Sequence, residues 1–353
     1  MTFRPFTRPR RLLLLGALLT LIYCTCYHLW YHPPEAGPGP FRLAQSLKGH
    51  RSVIWTARFL PGDSLVLSAG ADSTLSLWRR SGGPALRSWK GPSGITYLAL
   101  SRDGRYAATA GYDARVRIWS LPDGALLHTL EGPARTTWTV HFSPDASVVA
   151  AGSEEGHVFL WNRASGQLLQ RLKGHQRNVW DLAFSPDGGT LVSGSFDRTI
   201  NVWNARSGAL LRTLTDHDET VVALDWSRDG TLMASTSDDC TVKLWNTRTW
   251  TVLRSLSTPE HQQGVHFRAD GRQLITSGRD KTQFGELLQN FIGDSHYNKG
   301  ISMRLWDVPT GKLLQTFRHH ANDVNDVQFS SDGRAIVAAG ADGEVSVWEE
   351  YRL

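Results

Sequence analysis

Three residue types recur together along this 353-residue chain in a way that invites a catalytic reading. His50, Ser68 and Asp72 form one set, His175, Ser193 and Asp197 a second, and His217, Ser235 and Asp239 a third. These are the parts of a hydrolytic triad, in which the imidazole takes the hydroxyl proton and the carboxylate orients the ring. Repetition argues against that chemistry. A catalytic centre is needed once, whereas a structural device is needed in every copy of a module. His319 and His320 raise the question of a metal, but no second ligand cluster lies within sequence reach. Asp187-Gly188-Gly189 reads as a turn, and the chain holds no Walker, Rossmann or calcium-loop spacing. No catalytic residue, cofactor or metal is expected.

The elements that position these residues are short strands. Between Gly174-His175 and Trp203 lie the runs Val179 to Phe184, Thr190 to Gly194 and Thr199 to Trp203. Each is β-branched or aromatic and bounded by turn residues, among them Ser185-Pro186-Asp187-Gly188. The unit returns along the chain. His50, Asp72 and Trp78 repeat the separations of His175, Asp197 and Trp203, as do His217, Asp239 and Trp245, and His320, Asp342 and Trp348. Seven tryptophans close the units: Trp78, Trp119, Trp161, Trp203, Trp245, Trp306 and Trp348. Their separations are 41, 42, 42, 42, 61 and 42 residues.

A period near 42 with a Gly-His start and a Trp end resembles the WD40 repeat family. The resemblance implies an all-β fold, a seven-bladed propeller over residues 42–351. Each unit would give three inner strands of one blade and the outer strand of the next. The last unit ends at Trp348 without an outer strand, so Arg42 to Leu47 is expected to supply it beside Val345 to Trp348. The resemblance also implies structural tetrads: His50, Ser68, Asp72 and Trp78; His175, Ser193, Asp197 and Trp203; His217, Ser235, Asp239 and Trp245. In each, the carboxylate accepts from the ring, the ring meets the hydroxyl and the hydroxyl meets the indole N–H. Burying these groups is tolerable only as a closed chain of hydrogen bonds. Unit seven has Ala338 at the hydroxyl position, so its chain is expected to be broken. Units two, three and six lack the Gly-His pair, with Gly91-Pro92, Gly132-Pro133 and Thr258-Pro259 instead, and are expected to lean on apolar packing. Trp226, where Phe is usual in the strand, is expected in the core.

The long separation before Trp306 locates an insertion at 281–300, between the second and third strands of unit six. Within it Phe284, Leu287, Leu288 and Phe291 fall at helical spacing, so either a short helix folded on its own blade or a flap toward a partner is expected. The N-terminus is of another kind. An arginine-rich head (1–11) precedes an uncharged apolar run (12–31) long enough to cross a bilayer as a helix, then a Pro/Gly tether (32–41). The stretch after Leu21 offers no clear small-x-small cleavage site, with Ala36 a late, proline-flanked candidate, so a signal-anchor is favoured over a cleaved signal with a secreted body. The basic head places the N-terminus in the cytoplasm and the propeller in the periplasm, a lumen or the exterior.

Net charge is +5, but Arg4, Arg8, Arg10 and Arg11 account for most of it, so the body is not a nucleic-acid-binding surface. Cys240 is the one cysteine outside the N-terminal run, which excludes disulfides within the body. Function is therefore sought at the rim. The residue five beyond each Gly-His histidine, and the residue before each tetrad acid, should lie on the top face. They supply an aromatic arc of Trp55, Tyr112, Trp138, Trp180 and Phe196 beside a polar one of Asp238, Arg279 and Asn325. Such a surface fits a protein or peptide partner. The leading expectation is a non-enzymatic, membrane-tethered interaction scaffold. The alternatives are an envelope or lumenal assembly and quality-control factor, and a small-ligand sensor or enzyme using the central channel.

Overall fold

The computed structural model describes residues 39–121, 123–279 and 301–351. The N-terminal head and apolar run, most of the tether, and the 281–300 insertion lie outside these residues. Among the described residues no helix is long and apolar enough to cross a membrane.

Those residues form seven four-stranded antiparallel sheets. The chain enters on β1 (Phe41–Lys48). Blade one is β2 (Ile54–Phe59), β3 (Leu65–Gly70), β4 (Thr74–Arg79) and β5 (Arg87–Lys90). Blade two is β6 (Ile95–Leu100), β7 (Tyr106–Gly111), β8 (Val116–Ser120) and β9 (Ala125–Leu130). Blade three is β10 (Thr137–Phe142), β11 (Val148–Ser153), β12 (His157–Asn162) and β13 (Leu168–Lys173). Blade four is β14 (Val179–Phe184), β15 (Thr190–Ser195), β16 (Ile200–Asn204) and β17 (Leu210–Leu214). Blade five is β18 (Val221–Trp226), β19 (Leu232–Ser237), β20 (Thr241–Asn246) and β21 (Thr251–Ser257). Blade six is β22 (His261–Phe267), β23 (Gln273–Arg279), β24 (Ile301–Asp307) and β25 (Leu313–Arg318). Blade seven is β26 (Val324–Phe329), β27 (Ala335–Gly340) and β28 (Glu344–Glu350), completed by β1.

Two connections follow from this order. The strand ahead of each Gly-His pair closes the preceding blade, not the next one: β13 lies in the sheet of β10 to β12. The insertion falls between β23 and β24, where the lengthened spacing put it.

The ring closes by antiparallel pairing of β1 with β28, from Phe41 against Glu350 to Lys48 against Glu344, with one register shift between Leu43 and Gln45. The paired strand is one residue longer at each end than Arg42 to Leu47. Gln315 of blade six brackets its start, giving its amide N–H to the Phe41 carbonyl (2.7 Å) and accepting from the Phe41 N–H (3.0 Å). Closure removes the free sheet edge that an open arrangement would leave to pair with other chains.

The core is distributed. Seven apolar clusters occupy the seven interfaces between neighbouring blades. Each inner strand is covered on both faces by flanking blades, so strands such as β11 (VVAAGS) are apolar without alternation. Trp226 is half-buried on the flank of one cluster, edge-on to Trp250 at 5.8 Å, and is not a core residue. Ser-x-Asp turns set the hairpin lengths. In blade four the Ser185 hydroxyl accepts from the Thr190 N–H at 2.9 Å and Asp187 accepts from the Gly189 N–H at 2.9 Å.

Candidate functional site at the channel mouth

The structural tetrads hold the loops that carry the site. In blade four His175 Nδ1 donates to Asp197 (3.0 Å), the Ser193 hydroxyl donates to His175 Nε2 (2.7 Å), and Trp203 Nε1 donates to Ser193 Oγ (2.8 Å). Blade one has the same bonds through His50, Asp72, Ser68 and Trp78, at 2.9, 2.7 and 2.8 Å. Blade five has them through His217, Asp239, Ser235 and Trp245, at 2.7, 2.7 and 2.8 Å. Burial opposes ionisation of Asp239, but the His217 bond and charge, the Thr241 hydroxyl and the Asp218 N–H outweigh it and hold the carboxyl at about 2. Each serine spends its oxygen on the indole and its proton on the ring, all inside the blade, so none is poised as a nucleophile.

Three blades differ from the expectations above. Blade seven is not broken at Ala338. Ser346, directly across the ladder from Ala338, meets His320 Nε2 at 2.7 Å and accepts from Trp348 Nε1 at 3.0 Å. Blades two and six do not rest on apolar packing alone. In blade two Arg117 reaches the Asp113 carboxylate that a loop histidine would otherwise hold, with Nη1 to Oδ1 at 3.2 Å and Nη2 to Oδ2 at 2.5 Å. In blade six the equivalent Arg304 is buried in an ion pair with Glu260. Blade three does pack apolarly, with Phe159 stacked on Trp161 at 5.7 Å.

The seven innermost strands converge on a central channel of about 280 Å³. Trp55, Trp138, Trp180 and Asn325 line it at its mouth. Trp138 lies 4.6 Å from Trp180, centroid to centroid, and Tyr112 meets Trp138 edge-on at 5.9 Å. Tyr112 and Phe196 are 40% and 43% exposed, and Arg177 lies over the Phe196 ring at 5.3 Å. Among the described residues the Trp138 and Trp180 Nε1–H groups meet no acceptor. The polar members are less uniform. Asn325 is committed to the Ile54 carbonyl at 2.8 Å, a bond from blade seven to blade one. Asp238 has His261 Nδ1 at 3.6 Å. Arg279 is half-buried at the end of β23.

Below the mouth lies a polar layer that the rim positions did not reveal. The inner edge of each first strand has main-chain N–H groups with no further strand to bond, and side chains of the preceding blade supply acceptors. Asp181 accepts from the Leu224 N–H (2.9 Å), Asp225 from Phe267 (2.7 Å) and Gln328 from Phe59 (2.9 Å). His266 Nδ1 accepts from the Phe329 N–H at 3.3 Å, and burial, then the Arg58 charge, lowers this imidazole to about 3, so it is neutral. Arg58 pairs with Asp326 and donates to Tyr97 Oη at 3.0 Å. Asp181 also takes the Thr139 hydroxyl and His141 Nε2, both at 3.0 Å. Asp225 has no basic side chain within ion-pair distance among the described residues, and burial pushes its carboxyl up to about 7. The signal for this layer was an acid inside an apolar strand, Asp225 in VVALDW.

A closed ring of four-stranded blades, pinned by repeated His-Ser-Asp-Trp chains around a channel lined in part by tryptophans, defines a β-propeller. The WD domain, G-beta repeat (WD40) profile matches residues 41–79, 83–120, 124–162, 166–204, 208–246 and 311–349. The chain belongs to the WD40 family. The gap between the last two matched stretches holds β21 to β24, and so the first three strands of blade six and its insertion. Similar curated proteins include eukaryotic translation initiation factor 3 subunit I of Phaeosphaeria nodorum, 37% identical over 57 residues, 16% of this chain and 17% of that protein. The protein ROOT INITIATION DEFECTIVE 3 of Arabidopsis thaliana is 41% identical over 56 residues, 15% of this chain and 13% of its own length. The matched stretch thus spans less than a fifth of either relative.

Proposed function

We propose that the protein is a non-enzymatic, membrane-tethered scaffold that captures a peptide segment of a partner protein at the channel mouth. The observation that carries the reading is the run of Tyr112, Trp138 and Trp180, each ring packed on the next beside the channel. Rigid aromatic anchors bury large area at low entropic cost. The relatives' shared stretch is little longer than one repeat, so it supports the repeat and not a common partner. Membrane tethering rests on the uncharged run at 12–31 and its arginine head.

A photo-crosslinking residue placed at Trp138 or Trp180 in the full chain tests the docking surface. The expected result is one discrete product from these sites, lost when the other tryptophan is changed to alanine, and none from the opposite-end turn at Arg228. Equal labelling from all three positions would refute it. Protease accessibility of the body in sealed membranes tests the tether, with protection on the cytoplasmic side counting against the proposed orientation.

A further inference from the structure

The charge of the channel is unbalanced in a specific place. Asp181, Asp225 and Asp326 all line it. Asp326 is matched by Arg58, and Asp181 is surrounded by the Thr139 hydroxyl, His141 and the Leu224 N–H. His266 is neutral and spends its free nitrogen on the Phe329 N–H. Among the described residues Asp225 has only main-chain donors, from Phe267 and Trp226, and no basic side chain at ion-pair distance, the Arg58 charge acting on it only from further off. A carboxylate in this position costs the fold stability, because its charge is desolvated without a compensating partner. An incoming cation would remove that cost, and an incoming anion would raise it.

The route to Asp225 selects among cations. Trp138 and Trp180 stand 4.6 Å apart, which leaves no gap for a flat guanidinium between their faces. Beside Trp180 the wall continues as Val222 and Ala223 of the neighbouring strand β18, an aliphatic surface that leads to Asp225. Three residues of strand separate Val222 from Asp225, about 10 Å of depth. That suits an unbranched stem with a compact charge at its tip, whose methylenes pack on the indole and valine surfaces while the head stays polar.

We propose that the channel receives a lysine side chain of the docked partner, with its ammonium seated against the Asp225 carboxylate. This rests on the docking reading above and adds the chemistry of the occupant.

The probe is the peptide acetyl-Gly-Gly-Lys-Gly-Gly-amide, titrated into the full chain labelled with 5-fluorotryptophan and followed by fluorine NMR. The Trp138 and Trp180 resonances should shift saturably. The same peptide with norleucine for lysine should bind at least about 10-fold more weakly, the loss of one charge-assisted bond. Asp225→Asn keeps an acceptor for the Phe267 N–H and should bring the lysine peptide down to the norleucine level. Unmoved Trp203 and Trp245 resonances would show that this variant keeps its ring. Equal binding of the two peptides, or undiminished binding to Asp225→Asn, would overturn the proposal. So would an arginine peptide binding as tightly as the lysine one. If crosslinking at Trp138 and Trp180 succeeds while the lysine peptide moves nothing, docking stands and the lysine assignment falls. If crosslinking also fails, both fall.

Discussion

Ser346→Ala should be as damaging as Ser193→Ala, although the two serines stand on different strands of their blades. Ser346 is fully buried and serves both Trp348 Nε1 (3.0 Å) and His320 Nε2 (2.7 Å). Removing its oxygen strands two buried polar groups at about 1–3 kcal/mol each, so a loss of roughly 3 kcal/mol is expected. Solvent does not relieve it, since His320 is 3% exposed and Trp348 6%. For a body of this size that is a fall in melting temperature of roughly 6 °C or more. Blade seven also carries the closing pair of β1 with β28, so amide exchange should accelerate first in those two strands. The rescue is specific. Ala338 faces Ser346 across the ladder, and Ser68 of blade one occupies the position equivalent to Ala338 and bonds both partners from there. Ala338→Ser with Ser346→Ala should therefore recover most of the loss. Denaturant unfolding with amide exchange on the single and double variants decides it. A cost below about 0.5 kcal/mol for Ser346→Ala, or no recovery in the double variant, would refute the view that this hydroxyl closes the chain in blade seven.

Two further perturbations follow from the geometry. Gly156 has φ +80°, and a Cβ there would stand 2.8 Å from the His175 carbonyl oxygen, so Gly156→Ala should cost about 2 kcal/mol or more by thermal unfolding. Asp225, pushed up to about 7 in the fold, holds a proton that the unfolded chain has released above the usual carboxylate range. Its contribution makes stability fall as pH rises from about 4 to about 7. Asp225→Asn should therefore be near neutral at pH 4 and stabilising at pH 8, and denaturation curves at the two pH values that superimpose on wild type would contradict the assignment.

The propeller was legible through a family resemblance that depends on local signals. Ser-x-Asp-Gly turns, short β-branched runs and a tryptophan every 42 residues are each readable within one module. Closure was legible too, because a last unit without an outer strand and a first strand without a blade have one economical solution. The offset from the histidines picked out Trp55, Trp138 and Trp180, and the structure places these three in the channel lining. The apolar run at 12–31, on which the membrane reading rests, lies outside the described residues.

What sequence order could not supply was the identity of partners brought together by pairing and closure. A repeat alignment compares like positions, so it registered Ala338 as a loss; the antiparallel ladder puts Ser346 against it, and an oxygen in that space serves from either strand. The same holds for Arg117 and Arg304, which take up acids from the third strand of their blades where a loop histidine was missing. The channel layer is the extreme case. Asp181, Asp225 and Asp326 lie in different repeats and share one space only because seven strands converge on an axis. Periodicity is a property of each module, whereas the balance of charge along that axis is a property of the closed ring, and only the folded chain decides it.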